Sequence, residues 1–364
     1  MSQSQFSLLR RRRFLPFFVT QALGAFNDNV FKNALIILVT FHIAGLSSTE
    51  RDLYSNLAAG LFVLPFFLLS ASAGQWAEKY EKSRSIRLIK LAEIVLMLLA
   101  AVALWSQSLP LLLGTLFLTG AQSALFGPLK YSILPQALRP AELVGGNALV
   151  ESGTFLAILL GTFFGGWLMG FSAGTLWVSV ALVAIAFAGW IASRAIPAAP
   201  ATAPELKLNW NPISETWRNV MFLRGHRAVL NSVLGVSWFW FFGSVFLAQL
   251  PNYTRLYLGG DQSVAPLVLM LFALGIGVGS LLCEVFSRRT VEIGLVPLGA
   301  LGMTLFGVDL YFARPEMAAV TGLDWRAFLA APGNLRICFD LLLIGVSGGF
   351  FTVPLYALIQ QRSP

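Results

Sequence analysis

The chain has 364 residues, of which 57% are hydrophobic and 12% charged, with a formal net charge of +8 and two cysteines. Apolar runs of about twenty residues recur from end to end, the pattern of a polytopic helical membrane protein, and no soluble domain is evident between them. The Lys and Arg residues sit in short clusters between these runs and not on one amphipathic face, which argues against nucleic acid as a partner and fits membrane topology.

Backbone groups cannot go unpaired in lipid, and the runs are continuous, not alternating, so the expected fold class is all-α. The first run, 14–42, follows Arg10 to Arg13 as a signal-peptide core would, but it is long, contains Asp28 and Lys32, and lacks a small-residue cleavage site. It is read as an uncleaved first helix. Its middle carries Phe26, Asn27, Asp28 and Asn29, with Lys32 one turn later. Ionisable groups in hydrocarbon are costly and normally face a bundle interior or a wet cavity, so this turn marks a substrate or ion pathway.

Further spans are expected at 53–74, 86–105, 109–136, 144–170, 173–192, 228–257, 264–286, 292–312 and 335–359, ten helices in all. Arg10 to Arg13, Lys79, Lys82, Arg84, Arg87, Arg139, Arg194, Lys207, Arg218, Arg224, Arg227, Arg288 and Arg289 then fall on one side. The opposite loops hold only Arg51, Arg255, Arg314, Arg326 and Arg336, so the amino terminus and the long central loop are expected to be cytoplasmic. The two cysteines, Cys283 and Cys338, lie inside apolar segments and offer neither a disulfide framework nor metal-ligand spacing.

The central loop opens with PAAPATAP, read as an extended, semi-rigid spacer. It continues PISETWRNVMFLRG, where Trp217, Val220, Met221 and Arg224 suggest a short amphipathic helix on the inner surface. The organisation expected is a six-helix bundle over 1–192, a linker over 193–227 and a second bundle over 228–364. The halves repeat: Gly120 to Pro140 ends the fourth span with the same Pro-Leu step and closing Arg as Gly345 to Pro364 in the tenth. Similarly, Gly74 to Glu78 before basic residues recurs as Ser280 to Glu284 before Arg288 and Arg289. A parallel repeat of six-helix units is the architecture of the major facilitator superfamily, which the chain resembles. By that count four of six helices of the second bundle are present, and the fold is expected to be truncated after helix ten.

The loop GQWAEKYEKSR is similar to that superfamily's loop between helices two and three, with Glu78 in place of the usual Asp and Glu81 where Gly is usual. FNDN, GPLKYSIL, GNALVESGTFLAILLGTFFGG and GVSGGFFTVPLYALIQQR, in this order, resemble the bacterial lysophospholipid transporter family, stand-alone or fused to an acyltransferase/acyl-carrier-protein synthetase. The resemblance implies a flippase of the bacterial inner membrane that moves lysophosphatidylethanolamine and related lysolipids inward for reacylation. It associates an acid of the first helix, here Asp28, and a lysine of the fourth, here Lys130, with the headgroup. A basic residue of the seventh helix in some members has only Gln249 here, with Arg255 near the outer end. The partners implied are the lysophospholipid, membrane lipids and a fused or associated acyltransferase/acyl-carrier-protein synthetase; a monomer is expected.

The chemistry of these residues suits a zwitterion, with Lys130 for the phosphate and Asp28 for the ammonium. Alternatively, Asp28 pairs with Lys32 on the same helix face, and Lys130 snorkels to the interface or pairs with Glu151. Asn27 and Asn29 complete a polar site or bond across helices. Desolvated carboxylates would also allow proton coupling. Gly74, Glu78, Lys79, Lys82 and Arg84, with Glu284 and Arg288, fit a cytoplasmic latch or, for the basic residues, ordinary positive-inside anchoring.

Gly161, Gly165, Gly166 and Gly170 have small-xxx-small spacing for close helix packing, and this segment lacks the proline of drug-antiporter motifs. Gly275, Gly277 and Gly279 spell G-x-G-x-G inside an apolar helix with no preceding strand, which argues against a nucleotide site. Trp238 to Phe242 form an aromatic cluster, lipid-facing, in the core, or lining an acyl-chain groove. Neither His42 nor His226 has an acid at acyltransferase spacing, and no P-loop, nucleophile elbow or catalytic metal spacing occurs, so no enzymatic activity and no cofactor are expected.

Overall fold

A computed structural model describes residues 5–43, 46–209, 211–261, 263–287, 290–313 and 322–363. Among them the regular structure is helical, apart from one isolated bridge between Gly260 and Leu323. Ten long helices stand where the apolar runs place them: α1 Leu15–Ile37, α2 Ser48–Lys79, α3 Lys82–Ser106, α4 Leu109–Ser132, α5 Leu143–Met169, α6 Gly174–Arg194, α7 Arg227–Leu256, α8 Val264–Phe286, α9 Leu295–Ala313 and α10 Asn334–Arg362. All but α1 are apolar enough by composition to cross a membrane. The exception is the helix that carries Asn27, Asp28, Asn29 and Lys32; at 23 residues it spans about 35 Å, enough for the hydrocarbon core.

The helix ends follow from local chemistry. Pro16 opens α1, where its missing N–H costs nothing. At the other end α1 widens into a π-turn, Leu38–His42, whose freed carbonyls need donors. Arg51 supplies them, with its guanidinium reaching the carbonyls of Val39, Thr40, Ile43 and Leu46. Ser47 and Glu50 form a reciprocal capping box at the start of α2. Glu81 caps α3, accepting from the backbone N–H groups of Ser83 and Arg84.

The chain divides into two compact units: Met1–Arg139 with Ala157–Phe222, and Pro140–Leu156 with Leu223–Pro364. In the first, α2 packs on α4, α3 on α4 and α6, and α1 on α6. Its apolar core includes Val30, Phe31, Leu35, Met97, Leu104, Leu112 and Leu182. In the second, α10 is central, packed by α7, α8 and α9, and buried over 72% of its apolar window. The start of α5 joins this unit, with Val144 and Ala148 packed against Cys283, Leu295, Val353 and Ala357.

Small residues set the closest approaches. On α8, Gly275 and Gly279 lie against the carbonyls of Leu342 and Val346, and Gly345 and Gly349 of α10 lie reciprocally against the backbone of Phe272, Ile276 and Ser280. The G-x-G-x-G pattern is thus a helix-packing stripe, joined by the second small-residue pair on α10. The small-xxx-small reading of the fifth span holds in the first unit, where Gly161 and Gly165 meet the carbonyls of Phe26 and Val30 on α1.

A side chain at Gly279 must therefore displace backbone, whereas one at Gly277 meets nothing within 4 Å. Gly279→Ile is expected to destabilise by about 1–3 kcal/mol or more through overpacking, and Gly277→Ala to leave stability unchanged or slightly raised. Thermal unfolding in detergent checks both, and equal Tm values would contradict this packing.

Candidate functional site

Three helices of the first unit bring polar side chains to one place in an otherwise apolar bundle. α1 supplies Asn27 and Asp28, α3 supplies Lys90 and Glu93, and α4 supplies Gln122 and Ser123. Lys90 and Glu93 are three apart and share a helix face. Lys90 Nζ lies 2.5 Å from Glu93 Oε2, and the two side chains are 1% and 2% exposed. Glu93 also accepts from Asn27 Nδ2 on Oε1 at 3.4 Å and from Gln122 Nε2 on Oε2 at 3.3 Å, so it joins all three helices. Asn27 Nδ2 additionally reaches the Leu182 carbonyl of α6 at 3.2 Å.

Asp28, 8% exposed, accepts from Ser123 Oγ on Oδ2 at 2.6 Å. Its Oδ1, with the Oδ1 atoms of Asn27 and Asn29, has no hydrogen-bond partner among the described residues. Asn29 Nδ2 turns back to the Ala25 carbonyl at 2.7 Å. One turn of α1 therefore carries three buried acceptor oxygens with unused capacity, directed to different sides of the helix because consecutive residues lie about 100° apart.

Asp28 and Lys32, four apart on α1, interact electrostatically, while Asp28 is also bonded to Ser123 on α4 and the Lys32 ammonium lies 5.4 Å from the centre of the Phe62 ring. Lys130, 9% exposed, has its ammonium 5.2 Å from the Tyr131 ring. It follows Ser123 by seven residues, two turns or about 10.5 Å along the same face of α4, and helical side chains lean back toward the N-terminus, here toward Ser123. Glu151 is buried in the second unit, and Gln249 is exposed on α7.

The loop between α2 and α3 is engaged by the linker, in an arrangement the sequence reading did not anticipate. In place of a free spacer, residues 196–209 form a strap fastened along the first unit. The Ala199 N–H donates to Glu81 Oε1 at 2.7 Å, and the Lys82 N–H donates back to the Ala199 carbonyl at 2.8 Å. Lys82 Nζ reaches Thr202 Oγ1 at 2.7 Å, and the Thr202 and Ala203 N–H groups meet the Glu78 carbonyl, both at 2.9 Å. Gln75 pairs with the backbone of Asn209 through both ends of its amide.

Of the latch candidates, Lys82 is thus buried in the strap, Glu78 takes part through its backbone, Arg84 is exposed, and Lys79 lies over the Tyr80 ring. Gly74 has open space where a Cβ would stand, Glu284 is half-buried, and Arg288 lies outside the described residues. Beyond the strap, the surface helix Pro212–Leu223 exposes Ile213, Trp217, Met221 and Phe222. Sequence reading missed Glu81, Lys90, Glu93, Gln122 and Ser123. The signal for Lys90 and Glu93 was present as two ionisable residues three apart inside an apolar run.

The Major Facilitator Superfamily profile matches residues 17–364. The chain is 30% identical to the lysophospholipid transporter LplT of Cronobacter sakazakii over 99% of its length and 83% of that protein. With LplT of Escherichia coli O1:K1 / APEC it shares 30% identity, covering 94% and 79%. The chain belongs to the Major Facilitator Superfamily, in its lysophospholipid transporter family. It is a multi-pass membrane transporter. Its fold is similar to that of a double-tryptophan mutant of XylE (TM-score 0.64, 14% identity, covering 98% and 87%). A bacterial homologue of the iron transporter ferroportin in its outward-facing state is comparably close (0.62, 16%, 96% and 85%).

Burial raises the Glu81 pKa, but hydrogen bonds from Ala199, Ser83 and Arg84 outweigh it and hold the carboxyl below the usual range. A carboxyl depressed in the folded state contributes stability above its unfolded pKa of about 4.3 and loses it as pH falls through the folded value. Hydrogen exchange at the Ala199 amide is therefore expected to be slow at pH 7, faster in Glu81→Gln at the same pH, and less sensitive to acidification in that variant than in the native protein. Equal protection in the two proteins at pH 7 would show that Glu81 does not hold the strap.

Proposed function

We propose that this transporter carries lysophospholipids such as lysophosphatidylethanolamine from the outer to the inner leaflet of the bacterial inner membrane, by alternating access, for reacylation. The observation that supports this most directly is the buried Asp28 carboxylate, with one oxygen bonded to Ser123 and the other without a hydrogen-bond partner among the described residues. A primary ammonium donates three hydrogen bonds and carries the complementary charge. Lys130, on the Ser123 face of α4, is the cation for the phosphate. The relatives of Cronobacter sakazakii and Escherichia coli, lysophospholipid transporters by name, agree with this substrate class.

The amino terminus and the strap lie on the cytoplasmic side in this reading, because the Arg10 to Arg13 cluster and most other basic residues share that side. Reacylation then takes place where an acyltransferase, fused or associated, meets the delivered lysolipid. A proton-coupled carrier of another solute or drug is the competing reading, favoured by the two buried carboxylates Asp28 and Glu93.

Uptake of labelled lysophosphatidylethanolamine into spheroplasts without their own route decides between them. The native protein is expected to support uptake, with Asp28→Asn and Lys130→Ala each slowing it by about tenfold or more, the value of one charged hydrogen bond. No uptake by native protein at normal membrane expression would discard the lysolipid reading.

A further inference from the structure

We infer that Glu93 is a specificity-positioning residue: by holding the Lys90 ammonium, it keeps the Asp28 carboxylate open to a cationic headgroup. This rests on the lysolipid reading and names the device that sets its headgroup preference. The Lys90 ammonium is seated on three sides. Glu93 meets it at 2.5 Å, the Phe126 ring centre lies 5.1 Å away, and α1 closes over it at Gly24, where a Cβ would collide with Nζ.

Gly24 is one helical turn before Asp28 on the same face of α1, about 6 Å along the axis. A lysine has a flexible four-carbon stem, so an ammonium released at Gly24 can swing to the Asp28 carboxylate. Asp28, which already interacts with Lys32 of its own helix, and Glu93 therefore compete for the Lys90 ammonium, and Glu93 holds it. The charges of Lys90 and Glu93 then cancel, and a guest ammonium competes at Asp28 with Lys32 alone and not with Lys90 as well. Glu93 is itself fixed by Asn27 and Gln122, the neighbours in sequence of Asp28 and Ser123, so the sequestering group and the receiving group share one scaffold.

Glu93→Gln retains the side-chain shape but not the charge, leaving Lys90 to pair with Asp28. The test compares uptake of lysophosphatidylethanolamine, which has an ammonium, with that of lysophosphatidylglycerol, which has none. The ratio is expected to fall about tenfold in Glu93→Gln and to return to within about twofold of native in Lys90→Met/Glu93→Gln, where the released Lys90 ammonium is gone and Lys32 stands as in the native protein. An unchanged ratio in membrane-inserted Glu93→Gln, or a double variant as impaired as the single one, would overturn the inference. Should Glu93→Gln not insert, Glu93→Asp, with the carboxylate retracted by one methylene, is expected to give an intermediate ratio, and a native ratio there would count equally against it.

A second measurement needs no lipid substrate. In a thermal-unfolding cycle, Asp28→Asn is expected to lower Tm more in the Glu93→Gln background than in the native one, because there Lys90 has lost its Glu93 partner and depends more on Asp28. Equal shifts in the two backgrounds would refute the competition. A native protein that takes up neither lysolipid discards the substrate reading, and the cycle still decides whether Glu93 restrains Lys90.

Discussion

Charge inside a lipid-embedded bundle is stable only when another charge or a set of hydrogen bonds answers it, and in the first unit this requirement converges on Glu93. Removing one partner of a buried ion pair leaves the other uncompensated, at a cost of about 3–5 kcal/mol. Glu93 and Lys90 answer each other within α3, and the remaining lone pairs of Glu93 are used by Asn27 of α1 and Gln122 of α4. A single carboxylate thus links three helices that apolar packing alone would leave free to slide, since lipid tails are as apolar as leucine. Asp28, whose hydrogen bond comes from Ser123, is held by the same helices.

Close backbone approach makes this arrangement possible. Gly161 of α5 sits against the Phe26 carbonyl and Gly165 against that of Val30, so glycines bracket the Asn27 to Asn29 turn. Side chains at those positions would push α1 from its place and lengthen the 2.6 Å contact between Asp28 and Ser123. Gly24 fits a different neighbour, the ammonium of Lys90. The glycines of α5 and α1 therefore contribute to the polar site indirectly, by fixing how near its members stand.

Much of this was legible in the sequence. The ten helices follow from apolar runs that lipid permits only one backbone solution, and the first helix announced its role through Asn27, Asp28 and Lys32. The strap was not legible. A Pro/Ala segment has few side chains with which to signal a partner, and what fastens it is largely its own backbone, at Ala199, Thr202 and Ala203, meeting Glu81 and the Glu78 carbonyl. Glu81 stands where the superfamily loop usually has glycine; a carboxylate there can cap α3 and hold Ala199 at once, which glycine cannot.

The partners of Asp28 were hidden for a different reason. Asn27, Asp28 and Lys32 interrupt their helix with several polar residues in close succession, whereas Lys90 and Glu93 are two residues in a run that is otherwise strongly apolar, and their opposite signs cancel in any local sum of charge. Cancellation in the sequence does not remove the physical demand. Each member must still be desolvated, and each retains lone pairs or protons to satisfy, so a neutral pair inside hydrocarbon draws neighbouring helices toward it as a lone charge does. The ammonium groups of Lys32 and Lys130 also lie near aromatic faces, those of Phe62 and Tyr131, which add cation–π attraction to their other interactions.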